Sequence, residues 1–289
     1  MVNRLSDATF ALCLTHDVDR VYQTYQPLYY GMRNLDPAEM LGFWSENNPY
    51  WQFENIMEIE EKLGVRSSFY FLNEKHLFED RPIWELFYPK AWKLFIGRYD
   101  IEEDNIRDII RKLDAGGWEV GLHGSFDSYN DSSRLGREKE RLETVLGEQV
   151  IGGRQHYLNL ERPKTWRIQR DIGLKYDSSL GSSEQFGFEY GYEPLRPFDD
   201  GFMVFPLTLM EVTIFGDRTF SEARDSLLEL LKEAEENQAV MTVLWHPRFF
   251  SMDSYPRYRE LYVELIKAAK EMGAWIGDCK TLHEKLTAS

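Results

Sequence analysis

Residues 9–19 read TFALCLTHDVD. The first seven form an apolar run of strand length, and the run ends abruptly in ionisable side chains, His16, Asp17 and Asp19. The same signature recurs three times. Residues 118–122 (WEVGL) run into His123, Gly124, Ser125, Phe126 and Asp127; residues 150–155 carry Arg154 and meet His156 and Tyr157; residues 239–245 end in Leu244, Trp245 and then His246. Further strands are expected at 66–72, 174–176, 202–206 with 211–215, and 274–276. Helices are expected at 52–63, 104–115, 133–146, 163–172, 221–237 and 256–272. In the last of these Tyr258, Leu261, Tyr262, Leu265, Ile266, Ala269 and Met272 recur at steps of three and four, one buried stripe. Gly64, Gly116, Gly147, Gly173 and Gly273 follow helices, where a left-handed stop is needed.

Such alternation implies a parallel sheet covered by helices. With seven or eight strand–helix units, closure is favoured over an open sheet. The expectation is an α/β protein, a deformed (β/α) barrel of about seven parallel strands, formed as a single domain over residues 1–289. Its chemistry would lie at the carboxyl ends of the strands. Aromatic-rich insertions at 20–51 and 73–100 each follow a strand and would sit on that rim. Their Trp and Tyr side chains could stack on sugar rings, grip a lipid tail, or pack a small core of their own.

Composition narrows the partners. A formal net charge of −15 repels phosphate backbones, so no nucleic acid is expected. Cys13 lies in an apolar run and reads as a buried free thiol. No run approaches a membrane span, and the opening MVNRLSDATFALCLTHD lacks the charged start, long apolar core and cleavage site of a signal peptide. A cytoplasmic protein with no transmembrane segment is the expectation.

The spacing of the ionisable residues has a physical logic. Asp17 and Asp19 are two apart, so on an extended strand end they point the same way. Paired carboxylates repel unless a proton or cation lies between them. Asp19, His123 and Asp127 are the expected metal ligands, His123 and Asp127 being four apart and able to share one face of a single turn. Asp17 would then act as general base, held by Arg154, and His246 as the acid that protonates a leaving amine. The bland alternatives are solvated strand-end carboxylates, a satisfied buried histidine at 123 or 246, and an Asp127 that caps a helix or forms an Asx turn. Glu211, a carboxylate inside an apolar stretch, either faces the cleft or, as the favoured reading, points outward from a strand.

These elements resemble the polysaccharide-deacetylase (NodB-homology) family, carbohydrate esterase family 4, over most of the chain. THDVD resembles a variant of the family's T-F-D-D motif, which implies Asp17 as base and Asp19 as metal ligand. H-x-x-x-H is matched by His123 to Asp127, with Asp for the second His. R-x-P-Y is matched by Arg154 to Tyr157, with His156 for Pro, which implies an oxyanion held by the Tyr157 backbone N–H. His156 is either an added ligand or a hydrogen-bonding loop residue. Asp177, in YDSSLG, would tune the catalytic His, and L-x-H is matched by Leu244 to His246. Leu244 would floor an acyl pocket and Trp245 would contact substrate. The resemblance implies hydrolysis of an N-acyl, usually N-acetyl, group on a sugar by metal-activated water. The ion would be zinc, with manganese, iron or cobalt made competitive by the harder Asp127. The expected substrate is a carbohydrate: a nucleotide sugar, a lipid-linked glycan or a nascent glycan. Alternatives are a C–N hydrolase acting on a small cyclic amide, and a metal-free glycan-binding relative.

Overall fold

A computed structural model describes residues 8–23, 48–74, 83–96 and 98–288. Nine strands occur among them: β1 (Ala11–Val18), β2 (Ser68–Leu72), β3 (Glu119–Gly124), β4 (Gly152–Gln155), β5 (Tyr176–Asp177), β6 (Met203–Val204), β7 (Leu207–Met210), β8 (Val240–Leu244) and β9 (Trp275–Gly277). They build one sheet in the order β6-β5-β4-β3-β2-β1-β8-β7, every neighbour parallel. β9 pairs with Ala11–Cys13, while β2 pairs with the later residues of β1, so the two divide one flank of β1 between them. The edge strands β6 and β7 are consecutive in the chain, separated only by Phe205 and Pro206. Three Cα steps span roughly 11 Å at most. The sheet therefore curls until its edges nearly meet, the deformed (β/α) barrel that the strand–helix alternation implies.

The helices are α1 (Phe53–Lys62), α2 (Pro89–Ile96), α3 (Asp104–Ala115), α4 (Ser132–Leu146), α5 (Lys164–Asp171), α6 (Glu211–Phe215), α7 (Phe220–Glu236), α8 (Tyr258–Glu271) and α9 (Cys279–Thr287). No helix among the described residues is long and apolar enough to cross a membrane. Side-chain alternation along β1 divides two cores. Phe10, Leu12, Leu14 and Val18 face outward into the layer beneath the helices. Ala11 and Cys13 face into the barrel with Tyr70, Tyr176, Met203, Phe205 and Val240, where Cys279, Leu282 and Leu286 of α9 close the amino-terminal end. That interior is crowded. A Cβ at Gly121 would lie 2.5 Å from the Tyr70 ring and one at Gly152 1.9 Å from the Tyr176 ring, so only glycine leaves these tyrosines room.

Two expectations change. Residues 211–215 are not a strand: EVTIF forms α6, and the strand is the preceding LTLM, β7. The β-branched run Val212-Thr213-Ile214 reads as strand by propensity, but the Thr213 hydroxyl donates to the Met210 carbonyl at 2.7 Å and closes a helical turn. Helix α9 was not anticipated; its start is marked by Asp278, whose carboxylate accepts from the Thr281 backbone N–H at 2.7 Å. Most of the 20–51 insertion, residues 24–47, lies outside the described residues. The second insertion contains a 3₁₀ turn, Ile83–Phe87, and α2, with Ile83, Trp84, Phe87 and Tyr88 exposed.

Candidate active site

The inward-facing residues of β1 continue as Thr15, Asp17 and, one step past the strand, Asp19. Asp17 is 4% exposed and accepts from Arg154 Nη1 at 2.8 Å through Oδ1. Its other oxygen lies 3.8 Å from His123 Nε2. Arg154, on β4, is fixed on all sides: Nη1 also reaches Thr15 Oγ1 at 2.9 Å, Nε the Ser178 carbonyl at 2.7 Å and Nη2 the Ser178 hydroxyl at 2.8 Å. Burial alone would lower the guanidinium pKa, yet the charge of Asp17, then Tyr70, and the hydrogen bond to Asp17 raise it. Arg154 is thus a fixed cation behind one oxygen of Asp17.

Asp19 is the centre of the cluster. Its Oδ1 is 3.1 Å from His123 Nε2 and 3.8 Å from His156 Nε2, and its Oδ2 is 3.4 Å from His246 Nε2 and 3.6 Å from Arg248 Nη1. Burial pushes its pKa up, but the charges and hydrogen bonds of His246, His123 and His156 prevail and hold it well below the usual carboxylate range. One donor atom each from Asp19, His123 and His156 lies within 4.8 Å of the others. Ligands of a tetrahedral zinc ion, each about 2.0–2.1 Å from the metal, stand about 3.3 Å apart, and the 3.1 and 3.8 Å separations of Asp19 Oδ1 from the two imidazoles bracket that spacing. The protonation pattern also suits a cation. His123 Nδ1 lies 2.9 Å from the Arg154 carbonyl, which can only accept, so Nδ1 carries a proton and Nε2 is the atom presented to the cluster. Burial lowers the His123 pKa, while Asp17 and Asp19 raise it further, the response of an imidazole facing two carboxylates. His156 Nδ1 is buried without a hydrogen bond and lies 3.5 Å from Glu74 Oε2.

Asp127 is not one of the gathered donors. Sharing a face at a spacing of four requires a helix, whereas β3 holds the chain extended as far as Gly124. The backbone then turns, Asp127 precedes a 3₁₀ turn at Ser128–Asn130, and the Ser128 N–H bonds the Ser125 carbonyl at 3.0 Å. Buried Glu138 fixes this turn by accepting from the Ser125 N–H at 3.0 Å and from Arg134 Nε at 2.6 Å. The third donor comes from the turn after β4. There Tyr157 (φ 59°) and Leu158 (φ 55°) both adopt the left-handed region, uncommon for side chains of this size and characteristic of functional turns. Asn159 anchors the turn by donating from Nδ2 to the Phe126 carbonyl at 2.8 Å.

On the opposite side stands His246, two residues past Leu244 at the end of β8. Its Nδ1 is 2.7 Å from Glu211 Oε1, and its backbone N–H donates to Glu211 Oε2 at 3.3 Å. Burial works against the imidazolium, as does Arg248, but Glu211 and Asp19 outweigh both and carry the pKa to about 9. Glu211 is fully buried at the start of α6, not outward on a strand as its sequence context suggests. Asp177 does not meet His246. Its oxygens accept from Gln169 Nε2 at 2.7 Å, Trp166 Nε1 at 3.1 Å and both the hydroxyl and N–H of Ser179, which ties β5 to α5. The place expected for Asp177 beside the histidine belongs to Glu211. Trp245 is likewise displaced: it is fully buried in the outer layer, its ring 5.5 Å from that of Tyr262, because neighbours on a strand face opposite ways. Leu244 is buried with Leu207 and Met210, an apolar corner that Leu158 and Val212 partly cover.

A second buried network lies behind the site. His16 faces outward between Thr15 and Asp17; its Nδ1 lies 2.5 Å from the Trp245 carbonyl and its Nε2 3.0 Å from Glu60 Oε1. Glu60 also accepts from Tyr262 Oη at 2.6 Å, Trp118 Nε1 at 2.7 Å and Ser67 Oγ at 2.9 Å. This cluster clamps the ends of β1 and β8 together, and with them Asp17 and His246. Sequence reading gave no sign of Glu60, which looks like one more solvated glutamate in IEEK.

No protein-family model matches the sequence, and a search of curated proteins finds no significant match. Solved structures do match. A protein assigned as a polysaccharide deacetylase from Mycobacterium smegmatis superposes with a TM-score of 0.61 at 17% identity, covering 96% of this chain and 90% of its own. The chitin deacetylase of the fungal pathogen Colletotrichum lindemuthianum gives 0.52 at 14% identity, with 98% and 90% covered. A peptidoglycan N-acetylglucosamine deacetylase gives 0.51 at 11% identity, with 95% and 88% covered. The chain has the fold of the polysaccharide deacetylases, that of carbohydrate esterase family 4.

Proposed function

We propose that this protein is a metal-dependent hydrolase that removes an N-acyl group, N-acetyl in the first instance, from a sugar or glycan. The observation that carries the proposal is the grouping of Asp19, His123 and His156 donors within 4.8 Å, with the Asp17–Arg154 pair on one side and the His246–Glu211 pair on the other. Two imidazole nitrogens and one carboxylate oxygen suit zinc or a neighbouring first-row ion. Such an ion supplies Lewis acidity, polarising an acyl carbonyl and easing deprotonation of water.

The remaining steps belong to side chains of this chain. Asp17, one oxygen held by Arg154, uses the other to accept the proton of the attacking water. The backbone N–H of Tyr157 donates to the oxyanion as the carbonyl becomes tetrahedral. His246, protonated at neutral pH and fixed at Nδ1 by Glu211, delivers a proton from Nε2 to the leaving amine. Leu244 and its apolar neighbours receive the acyl methyl group. Atoms balance: water adds across the C–N bond, giving a carboxylate and a free amine. The matched structures named for chitin and peptidoglycan deacetylation support a carbohydrate as substrate.

The test is acetate release from N-acetylated chito-oligosaccharides by metal-loaded and chelator-treated protein. Release that rises with bound metal and disappears in Asp17→Ala is expected. Release undiminished by chelation contradicts the mechanism, and no release from the metal-loaded protein contradicts the activity.

A further inference from the structure

Each cation of the cluster has a carboxylate close by, but the pairings are unequal. Arg154 reaches Asp17 at 2.8 Å and His246 reaches Glu211 at 2.7 Å. Arg248 stands 3.6 Å from Asp19 Oδ2, beyond hydrogen-bond length. Asp19 also faces three histidines, and both Glu211 oxygens are taken by the ring and backbone of His246. A metal ion on Asp19 would claim that carboxylate too and leave Arg248 beside a second cation. The guanidinium is braced over the Phe249 ring, 4.7 Å from its centroid, yet 26% of the side chain remains exposed. A half-buried, fork-shaped donor is thus held at the mouth of the cluster in a chain whose net charge is −15.

We propose that Arg248 is a substrate-binding residue that takes an oxyanion carried by the sugar, a phosphoryl or carboxylate group close to the N-acyl substituent. Guanidinium matches either group with two parallel hydrogen bonds. Elsewhere the acidic surface repels an anionic sugar, so this position selects how the substrate enters: acyl group toward Asp19 and His123, anion toward Arg248. The inference rests on the N-deacylase reading and narrows it to anionic sugars.

Calorimetric titration of the zinc-loaded protein tests it with three probes: N-acetylglucosamine 1-phosphate, N-acetylmuramic acid and neutral N-acetylglucosamine. Charge-assisted hydrogen bonds are expected to favour an anionic sugar by about ten- to a hundredfold over the neutral one. That preference should collapse in Arg248→Gln and survive in part in Arg248→Lys, with zinc content unchanged in whichever variant folds. The preferred anion identifies the group, phosphoryl or carboxyl. Equal binding of all three sugars, or an anion preference that Arg248→Gln leaves intact, overturns the assignment. Acetate release from neutral chito-oligosaccharide, measured in parallel, separates the two readings. Release with no anion preference removes the role of Arg248 alone, whereas neither binding nor release removes both.

Discussion

Replacing His156 by Ala should abolish tight zinc binding, while replacing Asp127 by Ala should leave it nearly intact. His156 Nε2 lies 3.8 Å from Asp19 Oδ1, and Asp127 is outside the donor group. Loss of a residue that merely orients a ligand costs roughly 10–100-fold in metal affinity. Loss of one of three protein ligands should exceed the top of that range, more than about 100-fold or about 2.7 kcal/mol. For Asp127→Ala the expected change is under about threefold, the scale of an altered long-range charge. Competition with a chromophoric chelator measures both variants, with circular dichroism to confirm the fold. Affinity should also fall as pH drops, since the cluster raises the His123 pKa and that ring must be free of its Nε2 proton to bind metal. Unchanged affinity in His156→Ala together with a large loss in Asp127→Ala refutes the ligand set.

Glu211→Gln should lower kcat by roughly 10²–10⁴, the span of general acid catalysis, and shift the alkaline limb of the pH–rate profile toward lower pH. The direction follows because His246 acts while protonated and Glu211 is the main charge raising its pKa to about 9; an unmoved limb contradicts that role. Asp177→Asn should reduce thermal stability by about 1–3 kcal/mol through its lost acceptors and leave the pH–rate profile in place. Glu119, buried under Ser68, Tyr176 and the start of α9, has its pKa raised from 4.5 to about 7, first by burial and then by Asp278. The folded state therefore binds a proton that the unfolded chain has lost, so stability should fall as pH rises from about 4.5 through 7. The drop should approach about 3 kcal/mol at 1.36 kcal/mol per pKa unit. Denaturant titrations of Glu119→Gln should show that slope removed; an identical slope assigns it to other groups.

The barrel was legible because its strands are short apolar runs that end in ionisable residues, a pattern visible without knowledge of contacts. The period-two spacing of Asp17 and Asp19 likewise placed both carboxylates on the inner face. What failed depended on how the chain turns after a strand. Asp127 belongs to a ligand pair only if residues 123–127 are helical, whereas the chain is extended to Gly124 and then turns before Asp127. Of the two readings open for His156, added ligand or loop residue, the grouping with Asp19 and His123 favours the first, and the left-handed residues after it shape the turn that brings it there. Glu211 was hidden by β-branched neighbours, and its partnership with His246 spans 35 residues. Trp245 could have been excluded from sequence alone. It follows Leu244 by one position, so the two side chains must lie on opposite faces of β8.

Anomalous diffraction at the zinc edge from zinc-loaded crystals tests the account most directly. One strong peak about 2.0–2.2 Å from Asp19, His123 Nε2 and His156 Nε2 is the expected result. A peak coordinated by Asp127 in place of His156, or none near Asp19 at saturating zinc, contradicts it.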